Sequence, residues 1–231
     1  MKPNQERQGT FWRPQCYDPR EQYAVVWRKL PHWSQVGTVC FITWRTWDSM
    51  PAVVVRDWQA QRDAWLRQNG VDPAVPGWEA VVQNWPMQRI CEFRKFLSDR
   101  WGEHLDALHG ECVLRWADCS RIVADSLRHF DEDRYSLCDY VVMPNHVHLL
   151  AAFADEEAML AQCESWKRFM ARRINEVLGR SGRFWAQDAF DHLVRSLDEF
   201  ERLRRYIAEN PQSARLKEGE YLHYSKKLRG D

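Results

Sequence analysis

The chain has 231 residues, of which 45% are apolar, so it can build one sizeable core. Its 33 Lys and Arg balance 33 Asp and Glu, so its net charge gives no evidence for a nucleic-acid partner. Its seven cysteines, with no two in C-x-x-C spacing, indicate neither a zinc knuckle nor a redox pair and fit free thiols in a reducing cytosol. Because no run approaches the ~20 apolar residues of a membrane span and the N-terminus has no signal-peptide stretch, we expect a soluble, cytoplasmic protein without a membrane partner.

The first half of the chain divides into three stretches of different composition. Residues 1–31 are polar and contain several prolines, and they are predicted to form an N-terminal arm. β-branched and aromatic residues at 37–45 predict a buried strand. At about 48–110, apolar residues at three- and four-residue spacing predict helices at 57–68 and 90–108, joined by a loop rich in glycine and proline. We therefore predict a helical insertion after the first strand.

The second half has the pattern of a mixed sheet-and-helix domain, which should span 32–231. Its predicted elements are a helix at 119–130, paired strands at 135–143 and 147–153, a helix at 156–178, a short strand at 190–194 and a helix at 198–209. The N-cap of the last helix is predicted to be Ser196 or Asp198, and Pro211 is predicted to end it. The order strand, helix, strand, strand, helix, strand, helix predicts an α+β fold with a mostly antiparallel sheet.

The segment VVMPNHVHLLAAF contains a histidine pair, His146 and His148. Residues two apart on a strand point to the same face, so the two imidazoles should project side by side. Neutral imidazole binds divalent metals, but two such ligands are too few for a tight site. Two structural histidines are the commoner outcome for an isolated H-x-H, and a metal site would need a third ligand from elsewhere.

The segment ERLRRYIAENPQSARL contains Tyr206 and Asn210, which are four residues apart and share one face of the predicted helix. An amide oxygen is a hard ligand suited to Mg²⁺ or Mn²⁺, and a tyrosine hydroxyl can form a covalent phosphodiester. The alternative is that Tyr206 packs in the core and Asn210 only closes the helix before Pro211. If this face packs over the histidine strand, the side chains form one site.

MPNHVHLL together with YIAENPQSARL resembles the single-tyrosine HUH transposases, and within them the REP-associated tyrosine transposases. Further blocks extend this resemblance in order across much of the chain: LPHW, FITWRTWDSMP, HFDEDRYSLCDYVVMPNHVHLL, SWKRFMARRIN and FWAQDAFDHLVRS. The resemblance implies a ferredoxin-like HUH domain with an antiparallel sheet. It also implies that His146, His148 and Asn210 are metal ligands for Mg²⁺ or Mn²⁺ and that Tyr206 is the nucleophile.

Members of this family cut single-stranded DNA, often near a hairpin, and form a 5′-phosphotyrosine with a free 3′-hydroxyl. The resemblance therefore implies a metal-dependent single-strand endonuclease and strand transferase with single-stranded or hairpin DNA as its partner, either as a homodimer or as a monomer. Two alternatives stay open. One is a domesticated hairpin-DNA-binding protein without cleavage activity, and the other is a metal hydrolase that uses water as nucleophile and needs carboxylate ligands.

The C-terminal stretch 164–231 has 15 basic and 11 acidic residues, a net charge of +4. A basic patch on a neutral protein can follow DNA phosphates, and tryptophan can stack on unpaired bases. The residues predicted to contact DNA are Lys167, Arg168, Arg172, Arg173, Trp185 and Arg195. The alternative for the basic residues is a solvated helix face, and the alternative for the tryptophan is packing in the core. His192 is a candidate general base and Asp191 its orienting partner, with a structural Asp–His pair as the alternative.

Overall fold

The computed structural model describes residues 16, 24–27, 31–34 and 37–227. The chain divides into two compact units, one of Met1–Trp47 with Cys112–Asp231 and one of Asp48–Glu111. The first unit contains the sheet and all of the candidate site residues. Across the described residues, no helix has the length and apolar character that crossing a membrane requires.

The regular elements follow the predicted order. The strands are β1 (Ala24–Trp27), β2 (Pro31–Ser34), β3 (Val39–Thr46), β4 (Tyr135–Val142), β5 (His146–Phe153), β6 (Trp185–Leu193) and β7 (Leu222–Ser225). The helices are α1 (Ala52–Gln68), α2 (Trp78–Gln83), α3 (Met87–Asp106), α4 (Ala117–Arg128), α5 (Glu156–Val177) and α6 (Leu197–Ser213), with a 3₁₀ turn at Val113–Arg115 before α4.

The main sheet has five strands in the order β6-β3-β5-β4-β7, and each neighbouring pair is antiparallel. The succession β3, α4, β4, β5, α5, β6 is a βαββαβ unit with the strand order of a ferredoxin-like fold, and β7 extends it at the β4 edge. The predicted ferredoxin-like α+β fold is therefore confirmed. Helices α1–α3, which follow β3, confirm the predicted helical insertion after the first strand of this sheet.

The two faces of the sheet pack against different helices. On one face, Ile42 and Leu149 lie in a core with residues of α4 and α5. On the other face, Phe41 and Leu150 lie in a second core with Phe200 and other residues of α6. Because side chains alternate along a strand, neighbours such as Phe41 and Ile42 belong to opposite cores. The sheet thus separates α5 from α6.

The second unit consists of α1, α2 and α3 and is held together largely by aromatic side chains. Trp65 of α1 stacks on Phe93 of α3 with ring centroids 4.9 Å apart, and Trp85 meets Phe93 edge-on at 5.9 Å. Trp58 and Trp101 make a second contact between α1 and α3 at 5.2 Å. The chain has 13 tryptophans, and those in these pairs bury large areas, so they are used for packing.

Several features differ from the sequence-based predictions. α2 lies between the two predicted helices of the insertion, in a stretch that was expected to be a loop. β1 pairs with β2 in a two-stranded sheet, although 1–31 was expected to be an arm; most of that stretch lies outside the described residues. β7 was not predicted, since its four residues are too few to show a period-two pattern. α6 continues through Pro211 to Ser213, because the N–H of Ala214 still donates to the carbonyl of Asn210 at 3.0 Å. The prediction that Pro211 ends this helix is wrong.

A buried ion pair fixes α6 to the sheet. Nε of Arg204 donates to Oδ2 of Asp139 on β4 at 3.0 Å, and the same guanidinium donates to Oγ of Ser225 on β7 at 3.0 Å. The side chains of Arg204 and Asp139 are only 16% and 2% exposed. Burial raises the pKa of Asp139, and the hydrogen bond from Ser225 and the charge of Arg204 oppose that rise. The pair therefore ties the middle of α6 to two strands.

Replacing Arg204 by alanine should destabilise the chain by about 3 kcal/mol, because Asp139 would be left buried without its partner. The control is Arg205→Ala, since Arg205 is exposed on the same helix and its loss should cost less than about 0.5 kcal/mol. Urea unfolding monitored by circular dichroism measures both values. Equal midpoints for the two variants would contradict the anchoring role of Arg204.

Candidate active site

β5 carries both candidate histidines on one face of the sheet. The chain leaves β4, turns through Pro144 and Asn145, and re-enters the sheet at His146, so β4 and β5 form a tight antiparallel hairpin. Side chains alternate along β5, so His146 and His148 share a face while Val147 packs into the opposite core. The two imidazole centroids are 4.6 Å apart, and the side chains are 0% and 3% exposed.

Each imidazole is held through its Nδ1 atom. Nδ1 of His146 lies 2.7 Å from Oδ1 of Asn145, and Nδ1 of His148 lies 2.6 Å from Oγ1 of Thr43. Thr43 is the cross-strand partner of His148 in the register of β3 and β5. Phe41 stacks on the His148 ring at a centroid distance of 5.4 Å. Both rings are therefore oriented by the protein itself, as metal-ligating histidines commonly are.

α6 brings the tyrosine and the asparagine to the histidines. Its buried side chains, which include Ile207, pack on the same sheet face as the histidine pair. The Tyr206 hydroxyl lies 3.4 Å from Nε2 of His148, and the two rings meet edge-on at 5.2 Å. Asn210, one turn further along, is buried and lies against His146. The structure thus brings together all four residues that the two sequence segments singled out.

Burial keeps both imidazoles neutral near pH 7. It lowers the pKa of His146 to about 3, against a smaller upward effect of Asn210. It also lowers the pKa of His148 well below its usual value, and the neighbouring His146 lowers it further. Each ring therefore has one N–H and one lone pair at neutral pH, which is the form in which imidazole binds a metal.

These side chains fit a divalent cation such as Mg²⁺ or Mn²⁺. Nε2 of His146 is buried and makes no well-formed hydrogen bond to any described residue. Asn210 has an amide oxygen, which is a hard ligand. Within the described ranges, no three His, Cys, Asp or Glu side chains cluster as a metal site. Among the described residues, the amide of Asn210 thus offers an oxygen ligand beside the two imidazoles.

Four of the predicted DNA contacts lie on α5 and are not brought to this site. α5 packs on the opposite face of the sheet from the histidines. On α5, Arg168 pairs with Glu164 at 2.6 Å, and Arg172 and Arg173 pair with Glu176 at 3.9 and 2.6 Å. These exposed pairs within one helix fit the alternative of a solvated helix face. The basic residues of α5 therefore do not face a phosphate held near the histidines.

Two of the residues predicted to contact DNA make contacts within the protein: Lys167 binds to β6, and Trp185, which is part of β6, is buried. Nζ of Lys167, the fourth basic residue of α5, donates to the carbonyl oxygen of Ala186 at 2.9 Å. Trp185 is 5% exposed and packs edge-on against Trp44 at 6.2 Å and against Phe184 at 4.7 Å. Its indole is thus part of the core, which favours packing over base stacking because its ring faces are already covered.

The remaining predicted residues lie around the start of α6 and on β6. Arg195 is exposed just before α6. Asp191 and His192 lie on β6, where they pair in register with Ile42 and Phe41 of β3. The side chains of Asp191 and His192 lie outside the described part of the chain, so their assignment as a base and its orienting partner stays a prediction.

The register of the sheet places a further residue at the site, Arg45. It is the cross-strand partner of His146 and is half-buried. Alternation along β3 puts it on the same face as Thr43, whose hydroxyl contacts His148. Directly opposed residues have Cβ atoms about 4.5–5.5 Å apart, so the Cβ of Arg45 lies close to that of His146. A charged residue within a buried, apolar strand was the sequence signal for it.

Replacing His146 by glutamine should reduce the acid sensitivity of the fold. The folded-state pKa of His146 is below the ordinary value of 6.5, so the unfolded chain binds the extra proton as the pH falls. The stability contributed by the neutral ring is complete above that value and is lost progressively toward pH 3. Between pH 7 and about pH 4.5, the variant should lose roughly 2–3 kcal/mol less stability than the wild type.

Urea unfolding at the two pH values measures this difference, with His129→Gln as the control because His129 is exposed. Between the two pH values, the free energy of unfolding of the control should fall by as much as that of the wild type. If His146→Gln lost as much stability as the control, the buried neutral state of His146 would be contradicted.

Comparisons with known proteins give one distant likeness. No protein-family model matches this sequence, and no curated protein sequence matches it. The structure of a REP-associated tyrosine transposase bound to a REP hairpin is similar to this chain with a TM-score of 0.37 and 13% sequence identity. The alignment covers 85% of this chain and 73% of that chain.

Proposed function

We propose that this chain is a metal-dependent single-strand DNA endonuclease and strand transferase of the transposase type, which acts near DNA hairpins through a 5′-phosphotyrosine. The observation that supports this most directly is the 3.4 Å distance between the Tyr206 hydroxyl and Nε2 of His148. His146 and Asn210 are buried alongside. A nucleophilic hydroxyl and metal-ligating side chains thus meet, although Tyr206 and His148 are 58 residues apart in the sequence.

Tyr206 is the nucleophile in this reaction. Its hydroxyl oxygen attacks the scissile phosphorus, so a bond forms between these two atoms while the bond from phosphorus to the 3′ oxygen breaks. The phenolic proton passes to water, which reaches the side chain because it is 36% exposed, and the departing 3′ oxygen takes up a proton. The products are a 5′-phosphotyrosine and a free 3′-hydroxyl. Attack by another 3′-hydroxyl reverses the step and joins strands without ATP.

The other site residues hold the cofactor and the phosphate. Mg²⁺ or Mn²⁺ would polarise the scissile phosphate and stabilise the charge that develops on it. His146 and His148 would bind the ion through their Nε2 atoms and Asn210 through its amide oxygen. Arg45 would pair with a phosphate oxygen, since a guanidinium binds phosphate through two parallel N–H groups.

One copy of the chain supplies every residue of this site. α6 packs on the sheet of its own chain, so Tyr206 reaches His148 without help from a second copy. This contact supports a first cleavage step carried out within one chain, and a homodimer stays the alternative. A homodimer would be needed only for events that require two strands to be held at once.

The alternatives make different demands on the site. A metal hydrolase with water as nucleophile needs carboxylate ligands, and no cluster of at least three His, Cys, Asp or Glu side chains occurs in the ranges that the structure describes. A domesticated hairpin-binding protein would not need Tyr206 beside His148. Formation of a covalent adduct between protein and DNA distinguishes the enzyme from the binding protein.

Wild-type protein incubated with labelled hairpin DNA carrying a single-stranded flank and Mn²⁺ should form a covalent species that survives denaturing electrophoresis. Tyr206→Phe should form none, because it lacks the attacking oxygen. Tyr221→Phe is the matched control and should react as the wild type does, since Tyr221 lies outside the site. Adduct formation by Tyr206→Phe would refute the nucleophile, and DNA binding without any wild-type adduct would favour the domesticated binding protein.

Arg45→Gln should weaken single-stranded DNA binding and reduce the salt dependence of the binding constant by about 0.7 in the log–log slope, the value for one phosphate contact. Arg168→Gln is the control because Arg168 lies on α5, across the sheet from the site. Fluorescence anisotropy over a range of salt concentrations measures both slopes. If Arg168→Gln lowered the slope and Arg45→Gln did not, DNA would bind the α5 face instead.

A further inference from the structure

We infer that Thr43 and Asn145 are positioning residues that hold both histidines as their Nδ1–H tautomers and so direct two Nε2 lone pairs at a divalent cation. This role rests on the proposed function for the identity of the ligand. It is carried by the two short contacts at the Nδ1 atoms, 2.6 Å from Thr43 to His148 and 2.7 Å from Asn145 to His146.

Asn145 determines the tautomer of His146. The carbonyl oxygen of an amide can only accept a hydrogen bond, so the contact to Oδ1 requires the proton on Nδ1. A neutral ring then has its lone pair on Nε2. That Nε2 is buried and has no well-formed hydrogen bond to a described residue. A lone pair at this buried position, beside the amide of Asn210, is a ready metal ligand.

Thr43 acts on His148 from the neighbouring strand. The threonine hydroxyl can accept the Nδ1 proton across the β3–β5 pair. Nε2 of His148 then carries its lone pair on the side of the ring that faces the Tyr206 hydroxyl, 3.4 Å away. The lone pair is thus directed to the place where the scissile phosphate must lie during attack by Tyr206.

Both positioning residues are themselves fixed to β3. Thr43 is part of this strand, and the backbone carbonyl of Asn145 accepts hydrogen bonds from the N–H and the hydroxyl of Thr46 at 2.8 and 3.1 Å. The hairpin turn before His146 therefore cannot move without breaking contacts to β3. Since one strand orients both rings, the two Nε2 atoms keep a constant relation to each other, which favours one ion shared between them.

A purely structural role for these contacts predicts something different. A buried imidazole that only fills space can satisfy its polar atoms in either tautomer, and the loss of one hydrogen bond would change stability alone. A positioning role requires the Nδ1–H form at both rings before any metal is added. It also requires that metal affinity should fall when an acceptor is removed, even if the fold is kept.

The tautomers can be read directly in the full chain without metal or DNA. Protein labelled with ¹⁵N-histidine is examined at pH 7 by long-range ¹H–¹⁵N correlation spectra, in which Nδ1–H and Nε2–H rings give distinct patterns. The single variants His146→Gln and His148→Gln assign the two signals. Both rings should be Nδ1–H tautomers, although a free imidazole side chain in water favours Nε2–H. An Nε2–H pattern at either ring would overturn the inference.

The metal is then tested by calorimetric titration with Mn²⁺ alone. Thr43→Val keeps the shape of the side chain but removes the acceptor, and it should weaken Mn²⁺ binding about 10- to 100-fold, as expected for loss of a hydrogen bond behind a ligand. Thr43→Ser restores the hydroxyl and should bind Mn²⁺ nearly as tightly as the wild type. Equal affinity of the valine variant and the wild type, or no Mn²⁺ binding by the wild type, would also overturn the inference.

Thermal unfolding of each variant shows whether the fold is kept. Even if Thr43→Val does not fold, the wild-type spectrum still shows whether both histidines are Nδ1–H tautomers. The outcome is separable from the proposed function. Nδ1–H rings and Mn²⁺ binding without a covalent DNA adduct would contradict the function alone. Nε2–H rings in a protein that forms the adduct at Tyr206 would contradict the positioning role alone.

Discussion

The packing of α6 against the sheet is the contact on which the site depends. The buried side chains of Phe200 and Ile207 each contribute about 1.5–3 kcal/mol when removed from water, and they press the helix onto the face that carries the histidines. The ion pair between Arg204 and Asp139 fixes where along the sheet the helix lies. Tyr206, two residues beyond Arg204, reaches the histidine strand only in that position.

The site combines two buried histidines, which we propose as metal ligands, with a partly exposed tyrosine, which we propose as the nucleophile. His146 and His148 are removed from water, so they stay neutral and keep their lone pairs at physiological pH. Tyr206 lies at the edge of the same cluster with over a third of its surface open to solvent, so a DNA strand can approach it. This division would suit the proposed covalent reaction on DNA, in which the metal ligands must stay fixed while the attacking hydroxyl must be accessible.

Local pattern alone predicted the parts of the site that lie within one element. Alternation along a strand placed His146 and His148 on one face, and helical spacing placed Tyr206 and Asn210 on another. The ferredoxin-like fold was also predictable, because element order and the family resemblance agree. Contacts between elements could not be predicted from the sequence. Thr43, for example, lies beside His148 only because of the register between β3 and β5, which are distant in the sequence. The position of the basic residues of α5 was not predictable either, because charge spacing does not show which face of the sheet a helix covers.

The proposed role of Tyr206 is tested most directly by locating the attachment point of DNA on the protein. Wild-type protein that has reacted with hairpin DNA is digested with nuclease and protease, and the modified peptide is sequenced by mass spectrometry. We expect a phosphodiester between Tyr206 and a 5′ nucleotide, with a free 3′-hydroxyl on the released strand. An adduct on another residue, or cleavage that leaves the phosphate on the 3′ end, would contradict it.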